Sequence, residues 1–150
     1  VEQYALEAQS FELEYVKGIY SKKNMFFDIL DKLFADTKKR VDRNSGSLRF
    51  ISDYDDKKLK VTQLSSGEKQ LVYILIKILL QNNEEYIVFM DEPEISLHVD
   101  WQEHLIEAVR ELNPNCQLII ASHAPALLMR GWQGVVQNLE DLKTIRKNGK

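Results

Sequence analysis

The sequence predicts an α/β fold, a parallel sheet preceded by a helical segment, on three observations. Ile87-Val88-Phe89-Met90 and Leu118-Ile119-Ile120 are continuous apolar runs of strand length, as expected of strands covered on both faces in a parallel sheet. Between them Trp101, Leu105, Ile106, Val109 and Leu112 recur along one side of a helix from about Val99 to Leu112. Before residue 45 the apolar residues recur at helical spacing up to Phe34, fading into a charged stretch to Arg43. Strand, helix and strand in that order form a βαβ unit, with parallel strands and a right-handed crossover.

The remaining elements follow in order. Tyr4, Ala8, Phe11, Tyr15 and Ile19 define one face of a first helix. Met25, Phe26, Ile29, Leu30, Leu33 and Phe34 define a second, fading into charged residues up to Arg43. Gly18 and Ser21-Lys22-Lys23 are expected at the joint. Organisation changes near Ser45-Gly46-Ser47, dividing the chain into a helical segment over 1–46 and an α/β lobe over 47–150. Leu48 to Ile51 and Leu59 to Val61 flank the polar stretch Asp53 to Lys58 and form a hairpin. A helix runs from Glu68 to about Gln81, apolar around most of its circumference and so expected to be buried on several sides. Asn113-Pro114-Asn115 ends the helix after Val99, since proline disfavours helical geometry in the residue before it. A short helix, Ala126 to Met129, and a strand at Val135-Val136 are expected to complete the sheet.

Composition narrows the class of function. With 150 residues the chain can bury a core of its own, and 44% hydrophobic with 29% charged residues fits a soluble globular protein. A net charge of -3 argues against an overall basic nucleic-acid binder. Lys38, Lys39, Arg40 and Arg43 form a local basic run, expected on a solvated helix face. One cysteine, Cys116, excludes an internal disulfide and fits a reducing cytoplasm. No apolar stretch is long enough to span a bilayer, so no membrane partner is expected. The chain begins at Val1 within a helical pattern and is read as a piece of something longer.

Ligands of open parallel sheets bind beyond the carboxyl ends of the strands. Asp91 and Glu92 follow one predicted strand and His123 follows the next, so the three side chains are expected to converge on one crevice. In the chemical reading Asp91 holds Mg²⁺ through water, while Glu92 orients and deprotonates an attacking water. The plainer reading of the pair is a polar turn stiffened by Pro93. His123 is a candidate partner for a terminal phosphate oxygen, or else an ordinary boundary histidine. Ser65 and Glu68 have the S-x-x-E spacing of a capping box. With Ser66 and Gly67 they also open a helix whose unpaired N–H groups make an anion site. Capping and phosphate binding are compatible.

Leu64-Ser65-Ser66-Gly67-Glu68, Ile87 to Glu92, Glu94-Ile95-Ser96-Leu97-His98 and Ser122-His123 resemble, in order and separation, the signature motif, Walker B motif, D-loop and switch histidine of ABC-type ATPase heads. The detail resembles soluble ATPases of the RecF, SMC-like and overcoming-lysogenization-defect type, including bacterial anti-phage ATP-binding proteins. Ser66 and Glu68 replace a glycine and a glutamine of the signature, and His98 stands where transporter subunits carry aspartate.

The resemblance covers about Leu48 to Leu139. It implies the C-terminal lobe of a P-loop NTPase, with residues 1–46 as the base of an arm or insertion. Two heads would sandwich ATP and Mg²⁺. Asp91 would be the metal ligand and Glu92 and His123 the catalytic groups for one nucleotide. Ser65, Ser66, Gly67 and Glu68 would close over another in a dimer. Cytoplasmic roles in DNA repair or antiviral defence would follow, with DNA or an effector protein as further partners.

No glycine in the sequence belongs to a G-x-x-x-x-G-K-[ST] loop. An N-terminal lobe carrying the Walker A loop is therefore expected elsewhere, and these 150 residues alone are expected to be inactive. Three other readings compete. One is a non-catalytic dimerisation or protein-interaction module derived from such a head. Another is a metal nuclease using Asp91, Glu92, Glu94 and His98. The third is a serine hydrolase using Ser122 and His123, although no G-x-S-x-G elbow is present.

Overall fold

A computed structural model describes the backbone of residues 2–138 and the side chains of residue 14 and of residues 16–138. One helix, α1 (Glu2–Phe34), occupies the start of the chain without interruption. The expected joint is absent: Gly18 and Ser21-Lys22-Lys23 lie inside the helix. A single glycine in a helix interior costs only about 1 kcal/mol, and serine and lysine do not break helices. The lower part of α1 is anchored by Phe26, Ile29, Leu30, Leu33 and Phe34, all buried.

The charged stretch after α1 is also not helical. Lys39–Val41 is a strand, β1, pairing antiparallel with β2 (Arg49–Ser52), which pairs in turn with β3 (Lys58–Lys60). The β2–β3 hairpin matches expectation. Three of the four residues of the basic run meet carboxylates: Lys39 meets Glu68, Arg40 meets Asp53 and Asp56, and Arg43 meets Asp28 and Asp31, while Lys38 is exposed. Those carboxylates allow so charged a sequence to pair as a strand.

Next come α2 (Ser66–Leu79), β4 (Ile87–Asp91), α3 (Val99–Leu112) and β5 (Gln117–Ala121). β4 and β5 are adjacent and parallel, with Phe89 opposite Ile119 and Asp91 opposite Ala121. The bounds of α3 agree with the sequence reading. Asn113, read simply as its stop, is fully buried. Its amide donates to Gln81 Oε1 at 2.9 Å and to the Glu84 carbonyl at 3.0 Å, tying α3 to the end of α2.

The core forms where α1, α2 and α3 meet. Phe34 packs on Phe50 with ring centroids 5.0 Å apart and on Trp101 at 5.7 Å. Trp101 Nε1–H donates to the Leu33 carbonyl at 2.6 Å, so α3 is fixed against the end of α1. Leu71, Val72, Leu75 and Ile78 of α2 face this core, whereas Tyr73 and Leu80 are exposed; the helix is buried along a broad stripe.

Three other expectations change. Val88, Met90, Leu118 and Ile120 pack on the core, but Ile87, Phe89 and Ile119 are exposed on the other face of the sheet. An apolar run fixes a strand but not what lies against its second face. Val135-Val136 is not a strand; Gln133–Val135 is a 3-10 turn. Two β-branched residues without a neighbouring strand do not extend a sheet. Pro125–Leu128, expected as a short helix from Ala126 to Met129, is likewise a single 3-10 turn. Residues 139–150 lie outside the described residues, and with them the end of the resemblance at Leu139.

Candidate functional site

The βαβ register delivers the acidic pair and the histidine to one rim. Asp91 ends β4 opposite Ala121, and the Glu92 N–H continues the ladder by donating to the Ala121 carbonyl at 2.8 Å. The chain then turns sharply. Glu92 and Ser96 have φ of 45° and 70°, in the left-handed region that costs most residues about 1 kcal/mol or more. Ile95 N–H to the Glu92 carbonyl (3.1 Å) and Leu97 N–H to the Glu94 carbonyl (2.9 Å) hold this loop in shape. His123 Nε2 lies 3.4 Å from Glu92 Oε1, with the imidazole 95% exposed and the glutamate side chain 30% exposed. Asp91 is exposed beside them.

Two further residues, Glu94 and Ser122, organise this rim. Glu94 is buried, and its Oε1 accepts from the Ser122 hydroxyl and from the His123 N–H at 3.2 Å. Burial pushes the Glu94 carboxyl up, but hydrogen bonds from the Ser122 hydroxyl, its own backbone and the His123 N–H outweigh it and hold the group below its ordinary value. Ser122 therefore serves Glu94 and is no nucleophile aimed at His123. The nuclease constellation is likewise not assembled. Glu94 points inward, His98 Nδ1 pairs with Asp100 at 3.1 Å, and no three potential ligands cluster around a cation site among the described residues. His104 lies on α3 with Nδ1 2.6 Å from the Asp100 carbonyl oxygen.

The start of α2 forms the second half of the site. Ser65 is the N-cap: its Oγ accepts from the Glu68 N–H at 3.3 Å, and its N–H donates to Glu68 Oε2 at 2.8 Å. The capping box is thus complete, while Ser65 and Ser66 stay exposed. Glu68 faces inward, with Lys39 Nζ 2.8 Å from its Oε1. Burial would raise its pKa, but Lys39 and the Ser65 N–H outweigh burial and hold it below the ordinary 4.5.

That depressed pKa gives a pH signature. Glu68 stabilises the fold fully above its unfolded pKa, and the contribution is lost as pH falls through the lower folded value. Lys39→Met is expected to destabilise the protein by about 1.5–3 kcal/mol at neutral pH, the range for a hydrogen bond to a charged group. Urea melts should show that difference narrowing below about pH 4.5. A gap that stays constant with pH would show that the pair is not its source.

Gly67 and Gln70 connect the two halves. A Cβ at Gly67 would overlap the Ser96 carbonyl oxygen and lie 3.2 Å from its carbon, so only glycine lets the loop after β4 sit against the start of α2. Within the chain the Gly67 backbone packs against Ser96. Gln70 Nε2 donates to the Pro93 carbonyl at 3.0 Å. Neither contact has a sequence signal, since both depend on where the loop lands.

A family model described as "AAA domain, putative AbiEii toxin, Type IV TA system" matches residues 7–129. The chain is 27% identical over 141 residues to the "Retron Vc95 probable ATPase" of Vibrio cholerae serotype O1 biovar El Tor, covering 75% of this chain and 27% of that protein. It is 33% identical over 89 residues to the "Retron Ec83 probable ATPase" of Escherichia coli, covering 52% of this chain and 16% of that protein. The matched regions thus amount to 27% and 16% of these relatives' own lengths.

Proposed function

The chain belongs to the AAA-domain family matched over residues 7–129, and from that membership we propose that it is the C-terminal lobe of an ABC-type ATPase head. In this reading an N-terminal lobe carrying the Walker A loop completes the nucleotide site, and two heads close around ATP. The carrying observation is the 3.4 Å approach of His123 to Glu92 at the ends of adjacent parallel strands. The exposed Ile87, Phe89 and Ile119 supply an apolar bed for the N-terminal lobe. The relatives' names, both ending in "probable ATPase", agree with nucleotide hydrolysis.

Each residue then has a task. Glu92 accepts a proton from the attacking water at its carboxylate, assistance commonly worth about 10²–10⁴ in rate. His123 presents its imidazole to a terminal phosphate oxygen and holds Glu92 in place. Ser65, Ser66 and Gly67 offer a hydroxyl and helix-start N–H groups to the nucleotide of the partner head. Glu68 stays inside and keeps that helix start rigid. Asp91 is the residue that would hold Mg²⁺. A lone exposed carboxylate fits that ion, which binds one or two carboxylates together with substrate phosphates and water. When bound, Mg²⁺ neutralises charge developing on the transferred phosphoryl group.

No helix among the described residues is long and apolar enough to cross a membrane. We place the complete ATPase in the cytoplasm, in antiviral defence or DNA repair, with DNA or an effector protein as its further partner. Titration of these 150 residues alone with Mg-ATP tests the division of labour. Binding weaker than about 100 μM, or about 5.5 kcal/mol, is expected without a phosphate loop. Micromolar affinity for this piece would contradict the reading.

A further inference from the structure

We propose that Glu94 is a positioning residue for the Glu92–His123 pair, a buried carboxylate joining the loop after β4 to the turn after β5. The inference rests on the ATPase reading only for its consequence in turnover. His123 is 95% exposed at its side chain, so packing does not aim the imidazole. Apart from its 3.4 Å contact with Glu92, its direction comes from its backbone, and that backbone is held by Glu94. The His123 N–H donates to Glu94 Oε1, the Ser122 hydroxyl donates to the same oxygen, and the Ala124 N–H donates to Ser122 Oγ at 2.9 Å. Three successive residues of the turn are thereby registered on one carboxylate.

The other end of the connection is equally fixed. The Glu94 carbonyl accepts from the Leu97 N–H, and Glu92, two residues earlier, is bonded through its N–H to the end of β5. Glu94 has no ion-pair partner among the described residues, and its Oε2 is buried without a hydrogen bond. Burying a carboxylate without a cation is costly, and an apolar side chain would fill the space with less penalty. What an apolar side chain could not do is accept the two bonds that set the Ser122-His123 turn. Glutamine could, because its amide oxygen can take the place of Oε1.

The test uses the intact ATPase with its own phosphate-binding lobe, and Mg-ATP as substrate. Glu94→Ala is expected to lower kcat about tenfold or more with KM within about threefold, the pattern of a lost transition-state interaction. Glu94→Gln should stay within about threefold of wild type, because it keeps the acceptor. Glu94→Ala combined with His123→Ala should be no slower than His123→Ala alone, since residues acting as one unit are not additive. Additive losses, glutamine as poor as alanine, or an effect confined to KM would each overturn the proposal.

Spectra of the histidine-labelled protein give a readout independent of turnover. The His123 imidazole signal, identified by its loss in His123→Ala, should move in Glu94→Ala and hold in Glu94→Gln. An unmoved signal in Glu94→Ala overturns the proposal. Should Glu94→Ala fail to fold, Ser122→Ala removes one of the two bonds and should shift the same signal. A fixed signal there would overturn the proposal as well. Absence of turnover in the wild type would defeat the ATPase reading alone, leaving the spectra to decide the role of Glu94.

Discussion

Glu92→Gln in the intact ATPase is expected to lower ATP turnover by about 10²–10⁴ while leaving ATP binding intact, the loss typical of removing a general base. Glutamine keeps the shape of the side chain and its contact with His123, so the fold and the Glu92–His123 approach should persist. What disappears is the capacity to take a proton from water. The expected outcome in steady-state kinetics is a collapse in kcat with KM little changed, and a long-lived ATP-bound state. Turnover within a few-fold of wild type would remove Glu92 from the chemistry, whereas no turnover in the wild type itself would favour the non-catalytic dimerisation reading.

Gly67→Ala has the second largest expected effect, for a different reason. The added methyl would occupy the space of the Ser96 carbonyl, and backbone cannot yield as the end of a flexible side chain can. Overpacking of this kind typically costs about 1–3 kcal/mol, which in a protein of this size lowers the melting temperature by several degrees. The displaced segment is also the loop that carries Glu92 and Glu94, so turnover should fall further than stability alone accounts for. Gly18→Ala is the internal control. Its Cβ meets nothing within 4 Å, and alanine in a helix interior is favoured over glycine by about 0.5–1 kcal/mol. Equal melting temperatures for Gly67→Ala and wild type would mean that the loop does not depend on this contact.

Much of the fold was legible because it is written in local patterns. The apolar stripe of α3 and the Asn113-Pro114 stop gave that helix its bounds, and two apolar runs around it gave the parallel pair. The capping box of Ser65 and Glu68 was visible as a spacing and is present as paired hydrogen bonds. The misses share a cause, which is dependence on partners distant in sequence. Lys39 and Arg40 lie in a strand that pairs with β2, and their partners Glu68 and Asp53 stand 29 and 13 residues further on. Gly18 looked like a joint because a glycine's penalty was weighed without the anchoring that Phe26 to Phe34 gives α1. The open face at Phe89 was missed because a strand's composition is the same whether its cover is in this chain or another.

For the site, the strand-end rule brought Asp91, Glu92 and His123 to one rim from topology alone. It said nothing of Glu94, whose sequence neighbourhood of Pro93 and two other acids reads as a solvent-facing turn. Only the return of β5 beside β4 turns that residue inward onto Ser122. The packing of Gly67 on the Ser96 carbonyl is equally invisible in sequence, because it depends on where the loop after β4 lands.

The most direct examination of this account is a structure of the Glu92→Gln ATPase, complete with its phosphate-binding lobe, in the presence of ATP and Mg²⁺. The account predicts the terminal phosphate between residue 92 and the His123 imidazole, the metal on the Asp91 side, and the Ser65–Gly67 helix start of a second head facing that phosphate. Nucleotide bound away from this rim, or His123 turned from the phosphate with no second head in contact, would contradict it.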